Sequence, residues 1–585
     1  MECGRQLDTV GGASAGRRLI GLATSLLLIC WSLPGQEQSP PPNAGRLASI
    51  RQLLAQERWQ EIVDQLEPVL PAAEPAELVE LHYYYGIASA RLGRWQDARK
   101  AFRAGYDLQP FDKRFPIELA GVDFKQKRYP QAAAWLRQAL RLDPNDSYAN
   151  EFLGTVYFLQ GNLEAALKYW NRVGKPNIEN VRVAPHLRIK PAVLDRAFAF
   201  SPASTLWLPD LLTSEAQVQN LEIFPRYAFQ LAAREDGHFD LDFHAQERNG
   251  WGRNAWEGLL SLFRGIFQQT IHPEFFNLGQ SANNVVSLVR WDAQKRRALV
   301  AVSGPLRGDP QWRYHVAVDL RNENWGIRDS FTGPAPVRGA LNLRREAISA
   351  GVTSVNSGRW SWSTGAEFSH RDYRSVFAGS ALTPQILLEG NQLKHQAQVN
   401  YELLRVPERR FVARASASSQ AGRIWSEPAQ SFFKLQSSLT GHWFPQSQGD
   451  DFEMYARIGG GKAFGETPFD ELFMLGLERD NDLWLRAHIG TRDGRKGSAP
   501  LGREYFLLNW ELDKNIYSGS LFGVKLGPFL DTGKIMDPSP GLGSRKWLWD
   551  TGVQAKVFAF GVGVIFSYGK DLRSGNNAFY FRIGR

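Results

Sequence analysis

The stretch EYFLLNWELD, Glu504–Asp513, places an apolar side chain at every second position. In an extended chain successive side chains point to opposite faces. Phe506, Leu508, Trp510 and Leu512 therefore share one side and Glu511 is turned to the other. The same period of two runs through QWRYHVAVDL, where Trp312, Tyr314, Val316, Val318 and Leu320 oppose Arg313, His315 and Asp319. It recurs in WSWSTGAEF, QAQVNYELL and FKLQSSLTGHW, and in the closing run VKLGPFLDTG, WDTGVQAKVFAF, VGVIFSYGKDL and NAFYFRIGR. One-sided alternation suits a soluble sandwich as well as a membrane barrel. The barrel is preferred for its number of segments, for an export leader, and for its aromatics. Thirteen of the nineteen tryptophans follow residue 250, many at strand ends, where membrane barrels carry interfacial girdles. Residues 250–585 are expected to form an antiparallel transmembrane β-barrel of sixteen strands.

Composition narrows the class. Hydrophobic residues make up 43% of the 585 and charged residues 22%, which excludes global disorder. A net charge of +9 without a basic cluster gives no reason to expect nucleic acid. Arg17 and Arg18 precede the apolar run from Leu19 to Gly35, the order of a secretory signal over residues 1–36, with a linker at 37–45. As a membrane anchor this run is short. Cys30 follows bulky Ile29, which suits lipid attachment poorly, and Cys3 and Cys30 are the only cysteines, so the cleaved chain would have none.

A repeat occupies 46–178. Pro110 and Pro144 stand 34 residues apart, as do Ala98, Ala132 and Ala166. Gly86 and Phe102 in one unit answer to Gly154, Tyr157 and Trp170 in another. Small residues let paired helices cross closely, aromatics fill the gap, and proline ends the second helix. The pattern resembles the tetratricopeptide repeat. A stabilising spacer and a groove lined by Tyr83 and Tyr84 for a partner's peptide remain equal readings.

Residues 181–249 change texture. A strand-like AFAF (197–200) precedes two short helical pieces, the second with Thr213 as N-cap and Leu221 on its apolar face. Two alternating strands follow across the Asp236–Gly237 turn. With Thr213, Leu221 and Phe224 in place, this β-α-α-β-β order resembles a polypeptide-transport-associated (POTRA) domain. Glu222-Ile223 stands where that family often carries a glycine.

The loop NDLWLRAHIGTRDGRKG, Asn481–Gly497, gathers Leu483, Trp484, Leu485 and Arg486. With the strands after it, it resembles the sixth loop of the outer-membrane assembly superfamily (BamA, TamA, two-partner secretion transporters, the bacterial surface antigen family). There an arginine at the loop tip is planted inside the barrel against acidic residues. Leu485-Arg486 fits that tip, and Ala487-His488 replaces its small-then-aromatic pair. Parity turns Glu511 and Asp531 inward as the partners, a fork of guanidinium on carboxylate. The chain ends on Arg585 after Phe579 and Phe581 in place of the family's terminal aromatic.

The resemblance implies a multidomain α-plus-β protein of the bacterial outer membrane, with its N-terminal modules in the periplasm. It implies insertion or translocation of polypeptides. The partners implied are outer-membrane lipid, unfolded or extended polypeptide clients, and periplasmic or lipoprotein partners through the repeats. A tetratricopeptide-barrel exporter of polysaccharide and a structural or adhesive surface protein are the alternatives. No enzyme motif stands out; GASAG (Gly12–Gly16) lies in the leader. No cofactor and no metal set is expected, since His238 and His244 on one strand face are read as solvated.

Overall fold

The computed structural model describes residues 42–328, 331–446, 449–519, 522–539, 541–559 and 562–584. The expected leader and its cleavage point lie outside them. Eight helices open the described residues: α1 (Pro42–Ala55), α2 (Trp59–Leu66), α3 (Pro75–Arg91), α4 (Trp95–Leu108), α5 (Arg114–Lys125), α6 (Tyr129–Leu142), α7 (Ser147–Leu159) and α8 (Leu163–Trp170). Consecutive helices pair because glycine lets a ring seat directly on backbone. A Cβ on Gly86 would overlap Phe102, and one on Gly154 would overlap Trp170. Gly105 meets Phe115 in the same way, a contact the repeat pattern did not single out. Ala98, Ala132, Ala166 and Phe102 are fully buried, and Tyr157 stacks on Tyr169. Pro110 and Pro144 lie exposed just past the ends of α4 and α6. Tyr84 is buried rather than open to a groove, and Tyr83 is half-buried. Tyr83 packs on Phe102 and Phe115, and Tyr84 is buried with its hydroxyl accepting from Arg51.

A small sheet follows: β1 (Asn177–Ala184), α9 (Pro191–Arg196), β2 (Ser204–Thr205), α10 (Leu208–Asn220), β3 (Arg226–Ala233) and β4 (Phe239–Gln246), in the order β2-β1-β4-β3. β1 and β4 run parallel. Three expectations are corrected here. The first strand is β1, starting at Asn177 ahead of 181, and AFAF is not a strand; Phe198 and Phe200 stack on each other in the core. The second helix is one piece, with Trp207 at its N-cap. Thr213 sits inside that helix, donating to the Pro209 carbonyl and accepting from the Gly358 N–H. Leu221 and Phe224 are buried as expected. This core is continuous with the repeats, because Phe158 and Trp170 pack on Phe239.

The rest comprises α11 (Ala255–Phe263) and strands β5 (Thr270–Ile271), β6 (Glu274–Leu278), β7 (Asn283–Trp291), β8 (Lys295–Leu306), β9 (Asp309–Arg328), β10 (Val337–Ser357), β11 (Trp360–Phe377), β12 (Gly390–Val406), β13 (Phe411–Trp425), β14 (Gln430–Trp443), β15 (Phe452–Gly465), β16 (Phe473–Met474), β17 (Thr491–Arg492), β18 (Arg495–Lys496), β19 (Leu501–Gly502), β20 (Glu504–Ser518), β21 (Phe522–Met536), β22 (Ser544–Ala559), β23 (Val562–Asp571) and β24 (Asn577–Gly584). Eighteen of them belong to one barrel sheet. The expectation of sixteen regular strands is not met among the described residues, where fourteen strands of the barrel sheet have eight residues or more. At the start of this region AWEGLLSLF forms α11, capped by the Asn254 side chain, because its apolar residues recur at helical and not alternating spacing.

Alternation gives the barrel an apolar outer face. Val316, Val318, Leu320, Phe368, Leu393, Leu435, Phe506, Leu526, Val553 and Phe579 are exposed, while their neighbours in sequence turn inward. Phe579 stacks on Phe566, and Tyr580 between Phe579 and Phe581 is directed away from that face. Among the described residues no helix is long and apolar enough to cross a membrane, which says nothing of crossing by strands.

The helical modules sit across one mouth of this barrel. Nη1 of Arg405 on β12 donates to both carboxylate oxygens of Glu164 on α8, each at 2.8 Å. Glu408, in the β12–β13 turn, accepts from Lys168 and from the Tyr169 hydroxyl at 2.6 and 2.7 Å. Glu222 takes a left-handed φ of 57°, a conformation glycine adopts more readily, and its carboxylate reaches Arg313 of β9 at 2.5 Å. Glu222 thus ties the small sheet to the barrel. A cavity of about 940 Å³ remains between Glu164, Glu215, Tyr227 and the barrel rim.

Candidate functional site

The connection between neighbours β15 and β20 spans residues 466–503 and folds into the barrel. Leu483 and Leu485 are buried against Tyr505 and Leu507 of β20, Ile535 of β21 and Leu548 of β22. The apolar wedge is therefore an adhesive between loop and wall. Trp484 is outside this cluster; it is half-buried, donates to the Asn481 carbonyl at 2.9 Å, and lies under the guanidinium of Arg582 on β24.

Arg486 is 2% exposed and meets both partners assigned by parity. Its Nε and Nη2 donate to Asp531 at 2.8 and 2.7 Å, and Nη1 donates to Glu511 at 2.9 Å. The backbone N–H of Arg486 adds a bond to Asp531 at 3.0 Å, and Nη1 also reaches Gln554 at 2.7 Å. Phe529 presents its ring 3.9 Å from the guanidinium carbon. A Cβ on Gly569 of β23 would lie 2.7 Å from the Arg486 carbonyl, so a glycine there lets the tip lie against the strand. Such a fork on two carboxylates, away from water, fixes position and orientation together.

A second attachment was missed by the sequence reading. The arm leading to the tip carries Asp470, Glu471, Glu478 and Asp480, and each faces cations of the opposite wall. Asp470 pairs with Arg371 at 3.1 Å, and Glu471 lies 2.8 Å from Lys394, 3.5 Å from Lys434 and 3.6 Å from Arg345. Glu478 meets Lys295 at 3.4 Å, and Asp480 meets Arg297 at 2.6 Å and Arg290 at 3.2 Å. Lys496, on the return of the loop, reaches Glu323 at 2.7 Å. The loop is thus bipolar, with acidic residues on the basic wall of β7–β14 and a basic tip on the acidic wall of β20–β22. Parity held the signal, because exposed Leu393 and Leu435 turn Lys394 and Lys434 inward. A cavity of about 510 Å³ lined by Arg345, Glu323, Lys434 and Asp480 remains beside the arm.

Beyond the tip, His488 donates or accepts through Nδ1 at 2.9 Å from Asp550, whose same oxygen accepts the Ala487 N–H at 2.7 Å. His238 instead pairs with Glu179 on the surface of the small sheet, and His244 is exposed.

Residues 48–113 and 117–177 match the family model described as tetratricopeptide repeat. The sequence matches no curated protein. Among solved structures the chain is similar to BamA from Haemophilus ducreyi lacking POTRA domains 1–3, at 12% identity and a TM-score of 0.41 over 69% of this chain and 83% of that one. It is also similar to CdiB from Escherichia coli, at 13% identity and a TM-score of 0.45 over 70% and 76%. CdiB from Acinetobacter baumannii gives 12%, 0.41, 70% and 73%.

Proposed function

We propose that this chain is an outer-membrane barrel that inserts or translocates polypeptides and is not an enzyme. In this reading residues 42–176 are tetratricopeptide repeats, 177–249 a POTRA-like module, and 250–585 the barrel, with the helical modules in the periplasm. The apolar outer face suits lipid. The observation that carries the proposal is the buried Arg486–Asp531–Glu511 clamp, which fixes an inward loop beneath the last strands. This matches the arginine tip to which the sequence is similar. β3 lies at an edge of the small sheet and offers an extended client a strand to pair with. Phe579 and Phe581 supply the aromatic face of the last strand. A sugar exporter is less well supported, since the space beside the loop is lined by paired charges more than by stacked aromatic rings.

The test is depletion of the protein in its host. A client class whose assembly or export then fails, and is restored by the wild-type chain but not by one lacking 466–503, supports the proposal. Loss of a surface polysaccharide with all exported proteins intact would refute it.

A further inference from the structure

Three aspartates lie side by side on neighbouring strands. Asp531 of β21 is directly opposite Asp550 of β22, which is directly opposite Asp571 of β23. Asp531 and Asp550 are fully buried and Asp571 nearly so. Like charges facing each other across a ladder repel, and burial removes the water that would screen them. Asp531 has the Arg486 guanidinium. Among the described residues no lysine or arginine pairs with Asp550 or Asp571. Asp571 receives neutral donors only: the Arg573 N–H at 3.0 Å, the Ser574 hydroxyl at 2.6 Å and the Thr332 hydroxyl at 3.1 Å. Asp550 spends one oxygen on Ala487 and His488, and its other oxygen, Oδ1, is buried with no partner. Even a protonated His488 cancels one of these two charges.

We infer that His488, Asp550 and Asp571 form a site for one divalent ion of the zinc type. Their ligand atoms lie within 4.8 Å of one another. A tetrahedral zinc with bonds of about 2.0–2.2 Å holds its ligands roughly 3.3 Å apart, so closure needs a small shift of side chains. One imidazole nitrogen with two carboxylates suits zinc better than calcium, which takes six to eight oxygens. The ion supplies the positive charge that the aspartate row lacks. It also ties the residue two places beyond the arginine to β22 and β23, so that the loop tip is fixed by a guanidinium on one side and a metal on the other.

The test uses the full-length barrel, folded in detergent and washed with chelator. Titration with Zn²⁺ alone should give one ion per chain. H488Q and D571N should each weaken binding at least about tenfold. H370Q, which alters an exposed histidine 3.0 Å from Asp372, should bind as wild type. Heat-modifiable migration checks that each variant is folded. On wild type alone, Zn²⁺ should slow trypsin cleavage within 466–503. Absence of stoichiometric zinc, unchanged binding by H488Q, a loss in H370Q, or selection of Ca²⁺ over Zn²⁺ would overturn the inference.

Discussion

Truncating Arg486 to alanine isolates what the clamp contributes. The wild-type guanidinium spans Asp531 and Glu511, both well buried, so solvent screening takes little from the interaction. The two carboxylates do not lose equally. Glu511 keeps Lys556 at 2.8 Å and Gln554 at 2.7 Å. Asp531 keeps the Asn509 amide at 2.7 Å and the backbone N–H of residue 486 at 3.0 Å, but no cation. Removing one partner of a buried pair typically costs about 3–5 kcal/mol, and here most of it falls on Asp531. That cost multiplies the undocked population of the loop by roughly two to four powers of ten. The interstrand ladders do not depend on the loop, so the barrel should persist, with heat-modifiable migration as the readout. Trypsin should cut at Arg479, Arg492 and Arg495 far faster, and under the proposed function delivery of polypeptide clients should fall. Asn at position 531 removes the stranded charge, so R486A with D531N should be less defective than R486A alone. R486E should be severe, and adding D531R should recover part of the loss. Wild-type protection and delivery in R486A would refute the reasoning.

Further outcomes follow from other parts of the chain. Glu215 on α10 faces the mouth cavity, where burial and repulsion by Glu164 raise its pKa to about 7, opposed by Arg405, with Tyr227 beside it. A raised carboxyl pKa favours the folded state fully below about pH 4.5 and withdraws that support as pH rises through about 7. Between pH 5 and 8 the thermal midpoint should therefore fall, and E215Q should flatten the slope; an equal slope in E215Q refutes this. Gly154→Leu should drive a side chain into Trp170 and cost about 1–3 kcal/mol in a melting experiment. Residues 37–178 alone should give a helical circular dichroism spectrum, and extension to 246 should raise the midpoint by covering Phe158 and Trp170 with Phe239; a β-rich or unfolded spectrum would sink the repeat assignment.

What was legible in the sequence follows from where a single period controls the chain. In the middle of β20 and β21 the outward positions Phe506, Leu508, Trp510, Leu512, Leu526 and Leu530 are apolar, so parity alone placed Glu511 and Asp531 on the side where Arg486 is found. The 34-residue spacing likewise located Gly86, Phe102 and Gly154 at helix crossings. The failures lie where period misleads. AFAF alternates but lies in a turn whose phenylalanines are held by Phe229 and Phe243, whereas true β1 has mostly exposed residues and no apolar rhythm. Thr213 looked like a cap because nothing in one sequence tells that the Gly358 turn of the barrel will bond to it. The acidic arm escaped notice because its partners come from seven positions between 290 and 434, and no local pattern joins such distant strands to one loop.

The two attachments of the loop pull on opposite walls and share no partner, which makes their independence measurable. Full truncations are a poor choice, since either alone can release the loop, and a second loss then has nothing left to remove. Conservative changes stay below that ceiling. R486K keeps the charge and gives up the fork that holds both oxygens of Asp531. E471D shortens the carboxylate among Lys394, Lys434 and Arg345. Trypsin protection reports the open population when closing outpaces cleavage, so each variant yields a free energy of release. Sites without common partners add within about 0.5 kcal/mol. Additivity in R486K with E471D would mean that arm and tip hold the loop as separate anchors, so that one can yield while the other keeps its register. A coupling above about 1 kcal/mol would refute that picture and make the whole loop one network that docks or leaves together.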